Sequence, residues 1–198
     1  MIFGAFDPGL QGAGAFIDDP ELDIRRTKEL NIEFFDMPMR DEPVKNRTRN
    51  RIDCTKLGAF ILPYVLSVLE DECELWLEHL WGFGSVVKNG EIGQFVFAEN
   101  YGIIKCAIEL QVGREGYNLI APIRWQNLLQ KPKDVRKDYD KSKKWNIEKI
   151  CDLYPQAQLI PDGCRVPSSG RADALCIAHA ARILHLAKLS ILTRKKRA

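Results

Sequence analysis

The sequence predicts a layered domain of the α/β or α+β class. Three observations carry that prediction. Short apolar runs closed by turn residues come early in the chain, apolar stripes at helical spacing come later, and no internal repeat or linker interrupts them. At 198 residues the chain is long enough to bury a core of its own as one domain.

The elements follow in order. Ile2 to Phe6 reads as a buried strand stopped by Asp7-Pro8-Gly9; Gly12 to Ile17 restarts it, so the two runs read as a hairpin. A polar stretch from Asp18 to Leu30 leads to a third strand, Ile32 to Met37, and then to a basic, loop-like segment from Arg40 to Arg51. Leu57, Phe60, Ile61, Tyr64, Val65, Val68 and Leu69 share one face of a helix, which Pro63, off that face, should kink. Leu75-Trp76-Leu77 forms a fourth strand ending at Glu78. Loop material to about Gly93 precedes a helix through Tyr101, Ile104, Ala107, Ile108 and Gln111. Asn118 to Ile123 is the fifth strand, Trp125 to Leu129 one or two helical turns, and Lys143 to Leu153 a further helix. The last helix runs from about Gly170 to Leu186, with Ala174, Ile177, Ala178, Ala181 and Leu184 on one face.

A composition of 45% hydrophobic and 28% charged residues excludes a disordered chain. No apolar run approaches the roughly 20 residues of a membrane-spanning helix, and no secretory signal is visible, so a cytoplasmic protein without a membrane partner is expected. The six cysteines include no C-x-x-C pair and only three histidines accompany them, which argues against structural zinc and for reduced thiols.

The informative acids stand where a carboxylate is costly. Asp7 and Glu78 each end an apolar strand, and Asp173 lies in the first turn of the final helix. Three acids converging from separate elements would offer the hard oxygen ligands that Mg²⁺ prefers. Two such ions about 3.5–4 Å apart can clamp the attacking and leaving oxygens of a phosphodiester displacement. Each acid also has an ordinary role open to it: a turn residue before Pro-Gly, a strand end reaching solvent, a carboxylate stabilising a helix N-terminus. Periodicity does not decide between these.

Several motifs together resemble a known family. Phe3 to Gly9 with Gly12 to Ala15 is similar to the first motif of RuvC-type Holliday junction resolvases, and Leu77-Glu78 with Gly82-Phe83-Gly84 to the second. Gly93 to Phe97 with Asn100 to Ile103 resembles the following helix in phage-type and organellar-type members. Pro122-Ile123-Arg124-Trp125 resembles their Pro-x-x-Trp step, and Leu153-Tyr154-Pro155 the approach to the last segment. Arg171 to Ala178 matches the closing acidic helix. The matches keep their order from about residue 2 to 183.

The resemblance implies a ribonuclease H-like α/β fold, a central mixed five-stranded sheet flanked by helices. A single nuclease domain would span 1–190, with a basic tail over 191–198. It further implies a homodimer that binds four-way DNA junctions and cuts them by symmetric nicks leaving 5′-phosphates. Mg²⁺ or Mn²⁺ would be the cofactor, two ions per site, with a water as nucleophile. Carried over by position, Asp7, Glu78 and Asp173 become the metal-binding catalytic acids.

Two departures accompany the resemblance. Relatives carry a further acid or a histidine shortly before the last Asp, where this chain has Ser168, Ser169, Gly170 and Arg171. Asp162 could replace it through a loop, fewer protein ligands could suffice, or the site could be impaired. Many relatives also follow the tryptophan with lysine, where this chain has Gln126. Lys141, in a step resembling the family's pre-helix lysine, is then the catalytic lysine expected, with Lys144 close behind.

The net charge of +2 conceals a segregated distribution. Basic residues gather in 40–56, in 131–149 and in the tail 194–197, where phosphate contacts would need them. Lys131, Lys143 and Lys144 are the expected DNA-binding lysines, and Trp81 and Phe83 could stack on bases of an opened junction. Two other functions remain open: a catalytically weak junction-binding protein, and a nucleotide-binding fold of the actin or hexokinase type, for whose two lobes the chain is short.

Overall fold

The computed structural model of the chain describes residues 1–44, 47–66, 72–79 and 90–195. Its elements are β1 (Ile2–Phe6), β2 (Ala13–Asp18), β3 (Asn31–Asp36), β4 (Met39–Val44), β5 (Arg47–Ile52), α1 (Cys54–Leu66), β6 (Cys73–Glu78), α2 (Gly90–Val112), β7 (Tyr117–Ile120), α3 (Pro122–Leu128), α4 (Lys133–Arg136), α5 (Tyr139–Leu153) and α6 (Ser169–Lys195).

Five strands form the central sheet in the order β3-β2-β1-β6-β7. β1 pairs with β2, and β2 with β3, antiparallel; β6 joins β1, and β7 joins β6, in parallel. The expected mixed, five-stranded sheet with flanking helices is therefore present. Side chains alternate across each strand, so the sheet has two covered faces. Phe3, Ala5, Ala13, Ala15, Ile17 and Trp76 pack with α6 and Trp125 on one face. Phe6, Phe16, Phe35, Leu75 and Leu77 pack with residues of α1 and α2 on the other.

Several boundaries differ from expectation, each for a physical reason. The basic segment taken as a loop is a hairpin, β4–β5, paired from Met39↔Ile52 to Val44↔Arg47. Among its described residues Ile52 is the only fully buried apolar one, so it lacks the alternating apolar signal of a half-buried strand. The fifth strand stops at Ile120 because Pro122, with no N–H to give, opens α3 instead. α5 begins at Tyr139, where the Asp138 carboxylate caps the helix by accepting from the Lys141 backbone N–H at 3.1 Å. Of the α1 stripe, Val68 and Leu69 lie outside the described residues; α1 itself continues through Pro63 to Leu66.

α6 runs on to Lys195 rather than ending near Leu186, so the division at residue 190 falls inside a helix. Its stretch Ser169–Leu192 is also long and apolar enough to cross a membrane by length and composition. The burial of Ala172 and of 174–178 against the sheet accounts for that apolarity as core packing.

Candidate active site

Strand alternation brings the acids together. Asp7 continues the Phe3 and Ala5 side of β1, and Glu78 continues the Trp76 side of β6. β1 and β6 are parallel neighbours in register, with Phe6 opposite Leu77. The two carboxylates thus leave adjacent strand ends on the sheet face that α6 covers, and Asp173 projects from the second turn of α6.

The backbone at this junction has no spare volume. A Cβ on Gly170 would lie 2.2 Å from the Gln11 carbonyl oxygen, and one on Gly12 would lie 2.1 Å from the Asp7 carbonyl oxygen. Such contacts are far inside van der Waals distance. Glycine at these two positions lets α6 seat directly on the β1–β2 turn. Ser168 caps α6 as its Oγ accepts from the Arg171 N–H at 3.3 Å.

Asp7 and Glu78 line an open cleft of about 530 Å³ with Lys143, Tyr139, Asn100 and Ser169, and Asp173 stands behind it, joined to the cleft through Lys143. Burial, then the charges of Asp173 and Glu78, raises the Asp7 carboxyl well above its ordinary value, against the opposing pull of Lys143. Burial foremost, helped by Asp173, pushes Glu78 up to about 7, although the Trp125 N–H bond, Lys143 and Lys131 favour its charged form. That bond runs from Trp125 Nε1 to Glu78 Oε1 at 2.8 Å. Asp173 accepts from Lys143 Nζ at 2.5 Å on Oδ2 and from Asn146 Nδ2 at 2.5 Å on Oδ1. Burial by itself would lower the Lys143 pKa, but Asp173 and Asp7 outweigh it and hold the ammonium above its ordinary range.

This donor set suits a hard divalent cation: carboxylate oxygens only, with more negative charge than the surroundings neutralise. Among the described residues, however, no three His, Cys, Asp or Glu side chains close on a common point tightly enough to form a metal cage. The cation in place is the Lys143 ammonium.

The basic residues sort differently from expectation. Lys141 does not reach the cleft; its side chain is 73% exposed and lies 3.5 Å from Asp138 beside the α5 cap. One turn of helix separates Tyr139 from Lys143, and it is this pair that lines the cleft. Lys144 is exposed and 3.7 Å from Glu148. Lys131 is buried, with its ammonium on Ser142 and Asn146 rather than on an open surface. Trp81 and Phe83 lie outside the described residues. Asp162 lines the neighbouring groove with Asp36, Cys164 and Pro167, not the cleft of the acids. Sequence reasoning missed Asn146 and Lys143 as partners of Asp173; the helical spacing of 139, 143 and 146 in α5 was the available signal.

No protein-family model matches the chain, and no curated protein matches it. Among solved structures it is similar to T. thermophilus RuvC, determined in complex with a Holliday junction substrate. The TM-score is 0.51 at 12% identity, over 92% of this chain and 96% of that one. A likeness that spans both chains almost end to end shows that this chain has a RuvC-like, ribonuclease H-like fold.

Proposed function

We propose that the chain is a structure-selective endonuclease that hydrolyses phosphodiester bonds in four-way or otherwise branched DNA. The observation that carries the proposal is the cleft lined by Asp7 and Glu78 on one face of a RuvC-like sheet, with Asp173 close enough behind it to raise the pKa of both. Desolvated acids that repel one another are unfavourable for stability, and such arrangements concentrate at functional sites. Asp7, Glu78 and Asp173 would hold Mg²⁺ or Mn²⁺, which when bound supplies Lewis-acid polarisation of the phosphate and activation of water.

The chain's own groups do the rest. Glu78, pushed to about 7 and fixed through one oxygen by Trp125, can exchange a proton near neutral pH. Lys143 holds a positive charge at the cleft, where a phosphate oxygen would take over as its acceptor. Water adds to phosphorus and the 3′ oxygen leaves with a proton, giving a 5′-phosphate and a 3′-hydroxyl. Two copies, one per strand, would make paired symmetric nicks. Exposed Phe60 and Leu66 on α1, and Phe95 and Leu110 on α2, are apolar surface available for such pairing.

A synthetic four-way DNA junction incubated with the chain and Mg²⁺ or Mn²⁺ tests this. Paired nicks from wild type and at least a hundredfold less from Asp7→Asn are expected, on the scale of losing one electrostatic catalytic group. Equal cutting by the variant, or none by wild type, overturns the nuclease. Unpaired nicks overturn the dimer. Tight junction binding without cutting selects a second reading, a junction-binding protein, which the serine at 169 and the lysine among the acids favour.

A further inference from the structure

We infer that Lys131 is a positioning residue for the acids: a buried cation that orients Asp173 through Asn146 and Glu78 through Trp125. The inference rests on the nuclease reading of the cleft.

Lys131 is 2% exposed. Its Nζ donates to the Ser142 carbonyl oxygen at 3.1 Å, to Ser142 Oγ at 2.5 Å and to Asn146 Oδ1 at 2.8 Å. It also lies over two indoles, 5.7 Å from the Trp125 ring centre and 5.4 Å from that of Trp145. Among the described residues no carboxylate touches it. A buried ammonium held only by neutral groups costs several kcal/mol in desolvation, and a methionine would fill the same space without that cost. Packing alone therefore does not account for a charge here.

Its contacts show what the charge does. An ammonium only donates, so Asn146 must turn its carbonyl oxygen toward Lys131. The other end of the amide, Nδ2, then faces Asp173 and donates to Oδ1 at 2.5 Å. The acceptor-only carboxylate asks for the same orientation, and the lysine anchors the amide from its other end, so that Nδ2 is held on Asp173 rather than merely drawn to it. The second route runs through Trp125. A cation over the indole draws charge from the ring and strengthens Nε1–H as a donor to Glu78 Oε1. One buried charge thus fixes a hydrogen bond to each of two acids from behind, while Lys143 neutralises them from the cleft.

The test uses the full chain with Lys131→Met, Asn146→Ala and the double variant, a four-way DNA junction, and Mn²⁺. Turnover at saturating junction, junction affinity without metal, and Mn²⁺ affinity by calorimetry are measured separately. Lys131→Met should lower turnover and Mn²⁺ affinity by about 10-fold or more, the usual effect of removing a group that orients a ligand. Junction affinity should stay within about twofold of wild type, because Lys131 is sealed from the surface. The double variant should turn over no more than about threefold slower than Asn146→Ala alone, since the lysine acts largely through that amide. Should Lys131→Met not fold, Ser142→Ala removes the 2.5 Å acceptor, keeps the fold, and should show a smaller loss of the same kind. Unchanged Mn²⁺ affinity and turnover in a folded variant, or losses that simply multiply in the double, overturn the inference alone. Wild type that neither binds Mn²⁺ nor cuts the junction overturns the nuclease reading and this inference with it.

Discussion

Glu78 shows at the residue scale how the cleft opposes folding. Its pKa is raised from 4.5 to about 7 in the fold, so the native state binds the proton more tightly than the unfolded chain. The resulting stability is complete below about pH 4.5 and is lost as pH rises through 7. Glu78→Gln removes the charge and keeps the Oε1 acceptor for Trp125. Without divalent cations, its melting temperature should exceed that of wild type by about 2–6 °C at pH 8, and the gain should vanish near pH 4.5. Scanning calorimetry at the two pH values checks this; a gain independent of pH would contradict it. The three acids were legible in sequence because each ends or opens a core element. The pairing of Lys143 and Asn146 with Asp173 was not, because helical spacing puts 139, 143 and 146 on one face of α5 but does not say that this face turns toward α6.

The β4–β5 hairpin is the clearest case at the scale of elements. Its two strands of six residues extend about 20 Å, and Arg40 and Arg51 face each other across the pair, as do Glu42 and Arg49. Arg51 is tied to Glu42 at 2.5 Å and to Glu99 of α2 at 2.6 Å. Asn100, which lines the cleft, accepts from the Ile52 N–H at 3.2 Å and anchors the hairpin base beside the acids. Under the proposed function this hairpin carries cationic side chains alongside a DNA arm. Replacing Arg40 and Arg49 by Gln should flatten the dependence of log affinity on log salt by about 1 to 2, near 0.9 for each lost phosphate contact. Turnover at saturating DNA should not change. An identical salt slope, measured by fluorescence anisotropy, would exclude the hairpin from the interface. The segment read as a loop because charged residues crowd it, from Arg40-Asp41-Glu42 to Arg47, Arg49 and Arg51, and apolar periodicity is silent about strands that bury almost nothing.

At the scale of the whole molecule, α6 joins the layers. Arg182, fully buried on α6, donates from Nε and Nη2 to Asp19 Oδ2 at 3.0 and 2.6 Å and from Nη1 to the Tyr154 hydroxyl at 2.8 Å. That hydroxyl shares a hydrogen bond with His179 Nδ1 at 2.7 Å, and burial, helped by Arg182, lowers the His179 pKa to about 3, so the ring is neutral. The network ties the end of β2, the end of α5 and the middle of α6 to one another. Asp19→Ala would leave a buried, uncompensated guanidinium and should cost about 3–5 kcal/mol in denaturant unfolding. Pairing it with Arg182→Met should restore most of that loss; a double variant as unstable as the single would show that packing, not charge, is at stake. The sheet and its order of elements were legible because β1, β2 and β6 are nearly all apolar. Asp19 and Arg182, more than 160 positions apart in sequence and 3.0 Å apart in space, carried no local sign of each other.

The seating of α6 on the β1–β2 turn bears on how such a chain can diverge. The contact is made by main-chain atoms of Gln11 and Gly12 against Gly170, and it needs only that two positions carry no side chain. Everything else around the junction can drift while Asp173 stays over the strand ends that carry Asp7 and Glu78. A site located by backbone contact places no demand on the side chains around it, so substitutions there would leave the acids where they are.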